Sequence, residues 1–179
     1  MIDKIVGDEI YFAKIRETAI IPTKKIEDAG YDLYANFEED YFLIEAFATR
    51  AVPTGIAMAF SSKYYAQVEE RGSTGKIGMK KSSGVMDSGY RGEYLIMTYN
   101  TNNKPLIISK VPAEEMPEEV EINGVRYAKE NCVIYPYSKA ICQIVLHEVP
   151  VLAEKEIPYE ELLKISSERG VGKFGSSNK

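Results

Sequence analysis

The chain has no tryptophan, one histidine (His147) and two cysteines (Cys132 and Cys142). A lone histidine with no cysteine at ligand spacing cannot assemble a zinc site, so His147 reads as the flank of a strand. The two cysteines match neither a zinc knuckle nor the disulfide density of a small secreted domain, and they read as core thiols in a reducing cytoplasm. Long apolar runs are missing too. No stretch approaches the ~20 apolar residues of a membrane span, and none follows Met1-Ile2-Asp3-Lys4 as a leader would require. The expectation is a soluble, cytoplasmic protein with no membrane partner. Positive charge is in deficit, with 22 Lys and Arg against 27 Asp and Glu and a net charge of −5. Coating a phosphate backbone needs a basic surface, so no nucleic-acid partner is expected. A small phosphorylated ligand stays open, because a few cations in one pocket suffice.

Helical periodicity is equally scarce. Only Tyr159 to Ser166 carries an amphipathic pattern, with Leu162, Leu163 and Ile165 among Glu and Lys, and it is too short to anchor a core. What the chain does have is thirteen Tyr, six Phe and short apolar runs cut by Gly, Pro and Asn clusters. That pattern predicts many short strands and an all-β barrel or sandwich. With 179 residues, 45% of them apolar, a single domain over 1–179 can bury a core without disulfides or a structural metal. The strand candidates are Ile10 to Ile15, Tyr31 to Ala35, Phe42 to Ile44, Arg50 to Phe60, Tyr64 to Glu69, Tyr94 to Tyr99, Leu106 to Ser109, Lys139 to Leu146 and Val149 to Leu152.

Residues 102–131 differ from the rest, being acidic and punctuated by proline. Within them Asn123-Gly124 separates two alternating runs, the strongest short-range hairpin signal, because both central residues of a type I′ turn need positive φ. A protruding β-hairpin is expected there, with Glu114, Glu115, Glu118, Glu119 and Glu121 on a solvated face. The tail over 166–179 has the composition of a disordered arm.

Four segments have chemistry that composition does not explain. In the tail, Arg169-Gly170-Val171-Gly172-Lys173-Phe174-Gly175-Ser176-Ser177 sets two cations, three glycines and two hydroxyls around one aromatic. Glycines let backbone N–H groups approach phosphate oxygens, cations neutralise them, and a phenyl face can stack a base. The plain alternative is a solubilising tail. A second glycine-rich basic run, Glu70-Arg71-Gly72-Ser73-Thr74-Gly75-Lys76-Ile77-Gly78, lacks the Walker spacing of a P-loop and could equally be a solvated turn. Between them Asp87 lies in Gly84-Val85-Met86-Asp87-Ser88-Gly89-Tyr90-Arg91-Gly92, and Asp32 lies upstream in Ala29-Gly30-Tyr31-Asp32-Leu33. An isolated Asp in a turn more often caps a neighbouring N–H than does chemistry.

Order and spacing change that weighing. Together these segments resemble the five motifs of the trimeric dUTP pyrophosphatases. Ala29 to Leu33 resembles the first, Arg71 to Gly78 the second, Gly84 to Gly92 the third, Ala140-Ile141-Cys142-Gln143-Ile144 the fourth and Arg169 to Ser177 the fifth. The resemblance implies a jelly-roll-like β-barrel that forms a homotrimer, with active sites at subunit junctions and a flexible C-terminal arm that closes a neighbour's site. It implies hydrolysis of dUTP to dUMP and pyrophosphate. Asp87 would accept the proton of the water that attacks the α-phosphorus, and Tyr90 would lie under the deoxyribose and exclude a 2′-hydroxyl. Backbone groups at Gly84 and Val85 would read the uracil edge. Arg71, Gly72, Ser73, Gln143 and Arg169 would contact the triphosphate. Phe174 and Gly175 would cover the base, and Ser176 with Ser177 would hold the γ-phosphate. A Mg²⁺ would be bound mainly by phosphate oxygens and waters, with Asp32 ordering that water shell.

The chain departs from the motifs in places. Gly72 follows Arg71 where the second motif usually has Ser, which leaves open whether Gly72 or Ser73 makes the phosphate contact. Ala140 stands where Arg is common, and Ser177 and Asn178 replace Thr and Gly. A rival with a similar fold is dCTP deaminase, but that family needs a Glu where this chain has Met97, and a thioether cannot carry a proton. A rival of another class is a nucleotide-switched regulatory protein acting through the 102–131 insertion, where a protein partner would dock. A tolerated surface insertion with no partner is the plain alternative.

Overall fold

A computed structural model describes Ile5 and residues 8–171. Its contacts divide the chain into two compact units, residues 1–149 and 150–179. The first is built almost wholly of strands: β1 (Ile10–Lys14), β2 (Tyr31–Leu33), β3 (Tyr41–Ile44), β4 (Thr49–Val52), β5 (Ile56–Phe60), β6 (Tyr64–Glu69), β7 (Met79–Lys81), β8 (Val85–Met86), β9 (Ile96–Asn100), β10 (Leu106–Ser109), β11 (Glu119–Ile122), β12 (Val125–Ala128), β13 (Val133–Pro136) and β14 (Cys142–Glu148), with a short helix α1 (Gly72–Lys76) between β6 and β7. In the second unit the described residues hold one helical turn, α2 (Tyr159–Leu162).

The sheets run in the orders β2-β14-β6-β8, β13-β10-β3, β4-β9-β7, β1-β5 and β11-β12. Alternation along β5, where Ile56, Met58 and Phe60 are buried, turns one face inward. Those residues join Leu33, Ile44, Val52, Val68, Met79, Tyr94, Ile96, Leu106, Ile141 and Ile144 in one core. All four residues of β10 are buried between β3, its antiparallel neighbour, and β13, which pairs with it in parallel. Its outer face meets a second apolar cluster, in which Leu43 and Ile107 pack with Met116, Val120 and Ile122.

That cluster changes two expectations about the insertion. The β11-β12 hairpin forms with the predicted turn, Asn123 at φ 53° and Gly124 at φ 78°, but it does not protrude. Val120 and Ile122 alternate inward and cover Leu43 and Ile107, since a two-stranded hairpin has no stability of its own without such a surface. The segment 102–131 also contains β10, which belongs to the barrel, so the added structure begins after Ser109.

Other boundaries differ for local reasons. The run Arg50 to Phe60 divides into β4 and β5 at Pro53-Thr54-Gly55, because Pro53 offers no N–H and Gly55 takes φ 66°. Val149 to Leu152 is not a strand, and Val151 and Leu152 are exposed. Three strands lack a readable pattern: β7, β8 and β13 are short, a glycine directly precedes β7 and β8, β13 ends on Pro136, and β7 is set by pairing with β9 (Lys81 opposite Thr98). The glycine-rich run after Arg71 is helical because Thr74 folds back. Its Oγ1 accepts from Arg71 N at 3.2 Å and donates to the Arg71 carbonyl at 3.0 Å.

Candidate active site

β2 and β14 pair with Gln143 opposite Asp32, and Gln143 also lies opposite Glu69 of β6. This register brings the first and fourth motifs beside the second, at the end of β6. Arg71 meets Asp32 edge-on, with Nε 2.8 Å from Oδ1 and Nη2 3.1 Å from Oδ2. A two-point carboxylate contact fixes the guanidinium plane as well as its position. Gln143 is anchored by Nε2 donating to the Glu70 carbonyl at 3.0 Å. Gly30 is obligatory against it, since a Cβ there would stand 2.7 Å from Gln143 Oε1. Glu27, Asp28, Ala29, Gly30, Asp32, Arg71, Gly72, Ser73 and Gln143 line one polar recess of ≈ 570 Å³. Below it, burial pushes the Tyr135 phenol up in pKa against the opposing pull of Ser73 and Arg71, and its hydroxyl donates to the Ala140 carbonyl at 2.6 Å.

The third motif lies elsewhere. β8 pairs with the far edge of β6, Ala66 opposite Met86, and the chain turns at Asp87, where Tyr90 N donates to the Asp87 carbonyl at 3.1 Å. Among the described residues the exposed Asp87 carboxylate has no hydrogen-bond or ionic partner. A carboxylate so placed is open to a proton from a ligand or water. A small recess of ≈ 240 Å³ is lined by Val85, Met86, Asp87, Tyr90, Glu93 and Leu95. Gly84 and Gly89 leave open space where a side chain would stand, so the backbone there can be approached closely.

The two recesses share no residue. The first is lined from β2, β14 and the segment that follows β6, the second from β8, which pairs with the other side of β6, and from the turn beyond it. Arg169 is in the second unit, where its N–H and that of Gly170 donate to Ser167 Oγ at 3.3 and 3.1 Å. Phe174, Gly175, Ser176 and Ser177 lie outside the described residues.

Sequence reasoning missed Glu27 and Asp28, which share the first recess, and the Glu93 and Arg16 pair behind the second. Glu27 and Asp28 directly precede the first motif and were findable by proximity; Arg16 and Glu93 are 77 residues apart, with no local signal. A further recess of ≈ 560 Å³, bordered by Arg50, Glu121 and Asn123, gathers none of the motif residues.

A family model of the dUTPases matches residues 16–112. The chain belongs to the dUTPase family. It is 32% identical over 165 residues to the deoxyuridine 5′-triphosphate nucleotidohydrolase of Debaryomyces hansenii, an alignment covering 91% of this chain and 83% of that dUTPase. It is 36% identical over 107 residues to the Pol polyprotein of Ovine maedi visna related virus, which takes in 60% of this chain but spans only 9% of the polyprotein. The fold matches that of the dUTPase of Staphylococcus bacteriophage 80alpha, solved with dUPNHPP, at a TM-score of 0.70 and 19% identity, covering 97% of this chain and 100% of that one. This likeness establishes the jelly-roll-like β fold of the dUTPases. The family match ends at Pro112, close to where the added structure begins.

Proposed function

We propose that this chain hydrolyses dUTP to dUMP and pyrophosphate, and that it does so as a homotrimer in which each site takes one recess from one chain and one from another. The observation that carries the reading is the separation of Asp87 and Tyr90 from the Asp32, Arg71 and Gln143 recess within a dUTPase fold. One chain supplies two recesses with no residue in common, and a second copy is the simplest way to oppose them.

In this mechanism the Asp87 carboxylate takes a proton from a water as its oxygen bonds to the α-phosphorus, and the bond from that phosphorus to the α,β-bridging oxygen breaks. Tyr90 fills the space a 2′-hydroxyl would need, and the backbone at Gly84 and Val85 reads the uracil edge. Arg71, aimed by Asp32, neutralises phosphate charge together with Gly72, Ser73, Gln143 and Arg169, while Phe174 and Gly175 cover the base and Ser176 and Ser177 hold the γ-phosphate.

Among the described residues no three His, Cys, Asp or Glu side chains cluster as a metal cage. The carboxylates of Glu27, Asp28 and Asp32 nonetheless line one recess, and hard oxygen donors of this kind suit Mg²⁺ that keeps most of its waters. Asp32, already engaged by Arg71, would hold the ion through water. Bound there, Mg²⁺ would neutralise the triphosphate and hold it in line.

No helix among the described residues is long and apolar enough to cross a membrane. Cys132 and Cys142 are free thiols, which suits the reducing cytoplasm proposed for the chain. A protein partner at the insertion would meet the exposed Val125 and Arg126 of β12, since Val120 and Ile122 of β11 face the barrel.

The test is pyrophosphate release from dUTP, dCTP, dTTP and UTP with Mg²⁺. Selective release from dUTP is expected; ammonia from dCTP, or no release from dUTP, overturns the reading.

A further inference from the structure

Glu93 lies just beyond the third motif and does more than close a loop. Its carboxylate accepts from Gly55 N at 2.7 Å and from Thr54 N at 3.1 Å, and it is ion-paired with Arg16 through both terminal guanidinium nitrogens. Arg16 is in turn held by Asn36, with Nε donating to Oδ1 at 2.7 Å and Nη2 to the Asn36 carbonyl at 3.1 Å. Asn36 is buried and donates to Thr18 Oγ1 at 3.0 Å and Tyr137 Oη at 3.3 Å. The next residue is tied down as well, Tyr94 N donating to the Ile56 carbonyl at 2.9 Å and Thr54 Oγ1 to the Tyr94 carbonyl at 2.8 Å.

All of these bonds fix the Glu93 backbone to the start of β5, and the Glu93 carbonyl is the acceptor of the Tyr90 hydroxyl at 3.0 Å. The Tyr90 ring lies over Gly92, where a Cβ would stand 2.4 Å from Oη. The phenol therefore has one acceptor and one bed, both on a segment whose position is set by a partly buried ion pair. Breaking one partner of such a pair leaves the other uncompensated, so the segment would shift rather than keep its geometry.

We infer that Glu93 and Arg16 are positioning residues that set Tyr90 and thereby the choice between deoxyribose and ribose. The inference rests on the proposed dUTP hydrolysis. Each acts through the Glu93 carbonyl on a ring whose place decides whether a 2′-hydroxyl fits. A gate moved by a few tenths of an ångström loses discrimination before it loses turnover, because the proton acceptor Asp87 is on the other arm of the turn.

The experiment measures kcat/KM for dUTP and for UTP, together with melting temperature, in the intact protein and in Glu93→Gln, Arg16→Lys, Tyr90→Phe and the Glu93→Gln/Tyr90→Phe pair. The preference for dUTP is expected to fall about tenfold in each single variant, the scale set by imperfect steric exclusion. The pair is expected to fall no further than Tyr90→Phe alone, because both changes cut the same connection. Equal losses on the two nucleotides, or additive losses in the pair, overturn the inference and leave a purely structural ion pair. Tyr90→Phe removes one hydroxyl and keeps the decision open if Glu93→Gln does not fold: an unchanged preference there overturns the role of the Glu93 carbonyl. Intact protein that releases no pyrophosphate from dUTP overturns the activity and the inference together, whereas an active protein with unchanged preferences in the variants overturns the inference alone.

Discussion

Single side chains carry the chemistry and one unusual electrostatic cost. Asp87→Asn keeps the size and polarity of the group but cannot take a proton. Pyrophosphate release should fall by roughly 10²- to 10⁴-fold, the usual share of a general base, while a titration with a non-hydrolysable dUTP analogue shows nucleotide still bound. Lys81 is a different case. It is half-buried, its Nζ reaches Thr98 Oγ1 at 3.4 Å, and burial pushes its pKa down from 10.5 to about 8, against a weaker pull from Cys142 and Glu70. Below pH 8 the ammonium is charged in folded and unfolded chains alike and burial costs stability in full. Between pH 8 and 10.5 the folded chain has shed the proton and the unfolded chain still holds it, so stability rises with pH, by about 3 kcal/mol if the whole shift is realised. Cys142 opposes this above pH 9 and Tyr94 above pH 10, because burial pushes the thiol and the phenol each up to about 12 and the unfolded chain ionises first. Denaturant unfolding from pH 7 to 9 should therefore show a rise in the native protein that Lys81→Met abolishes, with the variant more stable at pH 7.

At the scale of elements, the turn between β4 and β5 joins fold to site. Gly55 sits at φ 66°, and a Cβ there would meet Ala19 Cβ and Asn36 Oδ1 at 2.8 Å, the same oxygen that holds Arg16. Gly55→Ala combines left-handed strain with overpacking and should cost about 3 kcal/mol in a denaturant titration. Gly124→Ala, also at positive φ but with open space around it, should cost only the strain, about 1–2 kcal/mol. The hairpin carrying Gly124 was legible from Asn123-Gly124 and its flanking alternation, as were β6, rich in aromatic and β-branched residues, and β10, a short apolar run after Pro105. β7 and β8 were not, because two or three residues carry no period and their place is decided by partners on β9 and β6.

At the scale of the molecule, the separation of the recesses makes a sharp expectation. Chains carrying Asp87→Asn and chains carrying Arg71→Ala should each be nearly inactive as pure samples. Unfolded and refolded together, they should regain a fraction of the activity, because some mixed sites pair an intact Asp87 from one chain with an intact Arg71 from another. Mixtures no more active than their components would mean that each chain works with its own two recesses, contrary to the trimeric reading.

The sequence by itself determined the strand-rich architecture, the hairpin turn and the family, because alternation, turn chemistry and the order of short motifs are local properties of neighbouring residues. It also named Asp87, Tyr90, Asp32, Arg71 and Gln143 as the residues to watch. Only the tertiary structure decided that Asp32 grips Arg71 while Asp87 stands apart, that Val120 and Ile122 turn the insertion onto the barrel, and that Arg16 reaches Glu93 across 77 residues. Each of these depends on which strands pair and on which face a side chain emerges, and such long-range contacts leave no trace in the spacing of residues along the chain.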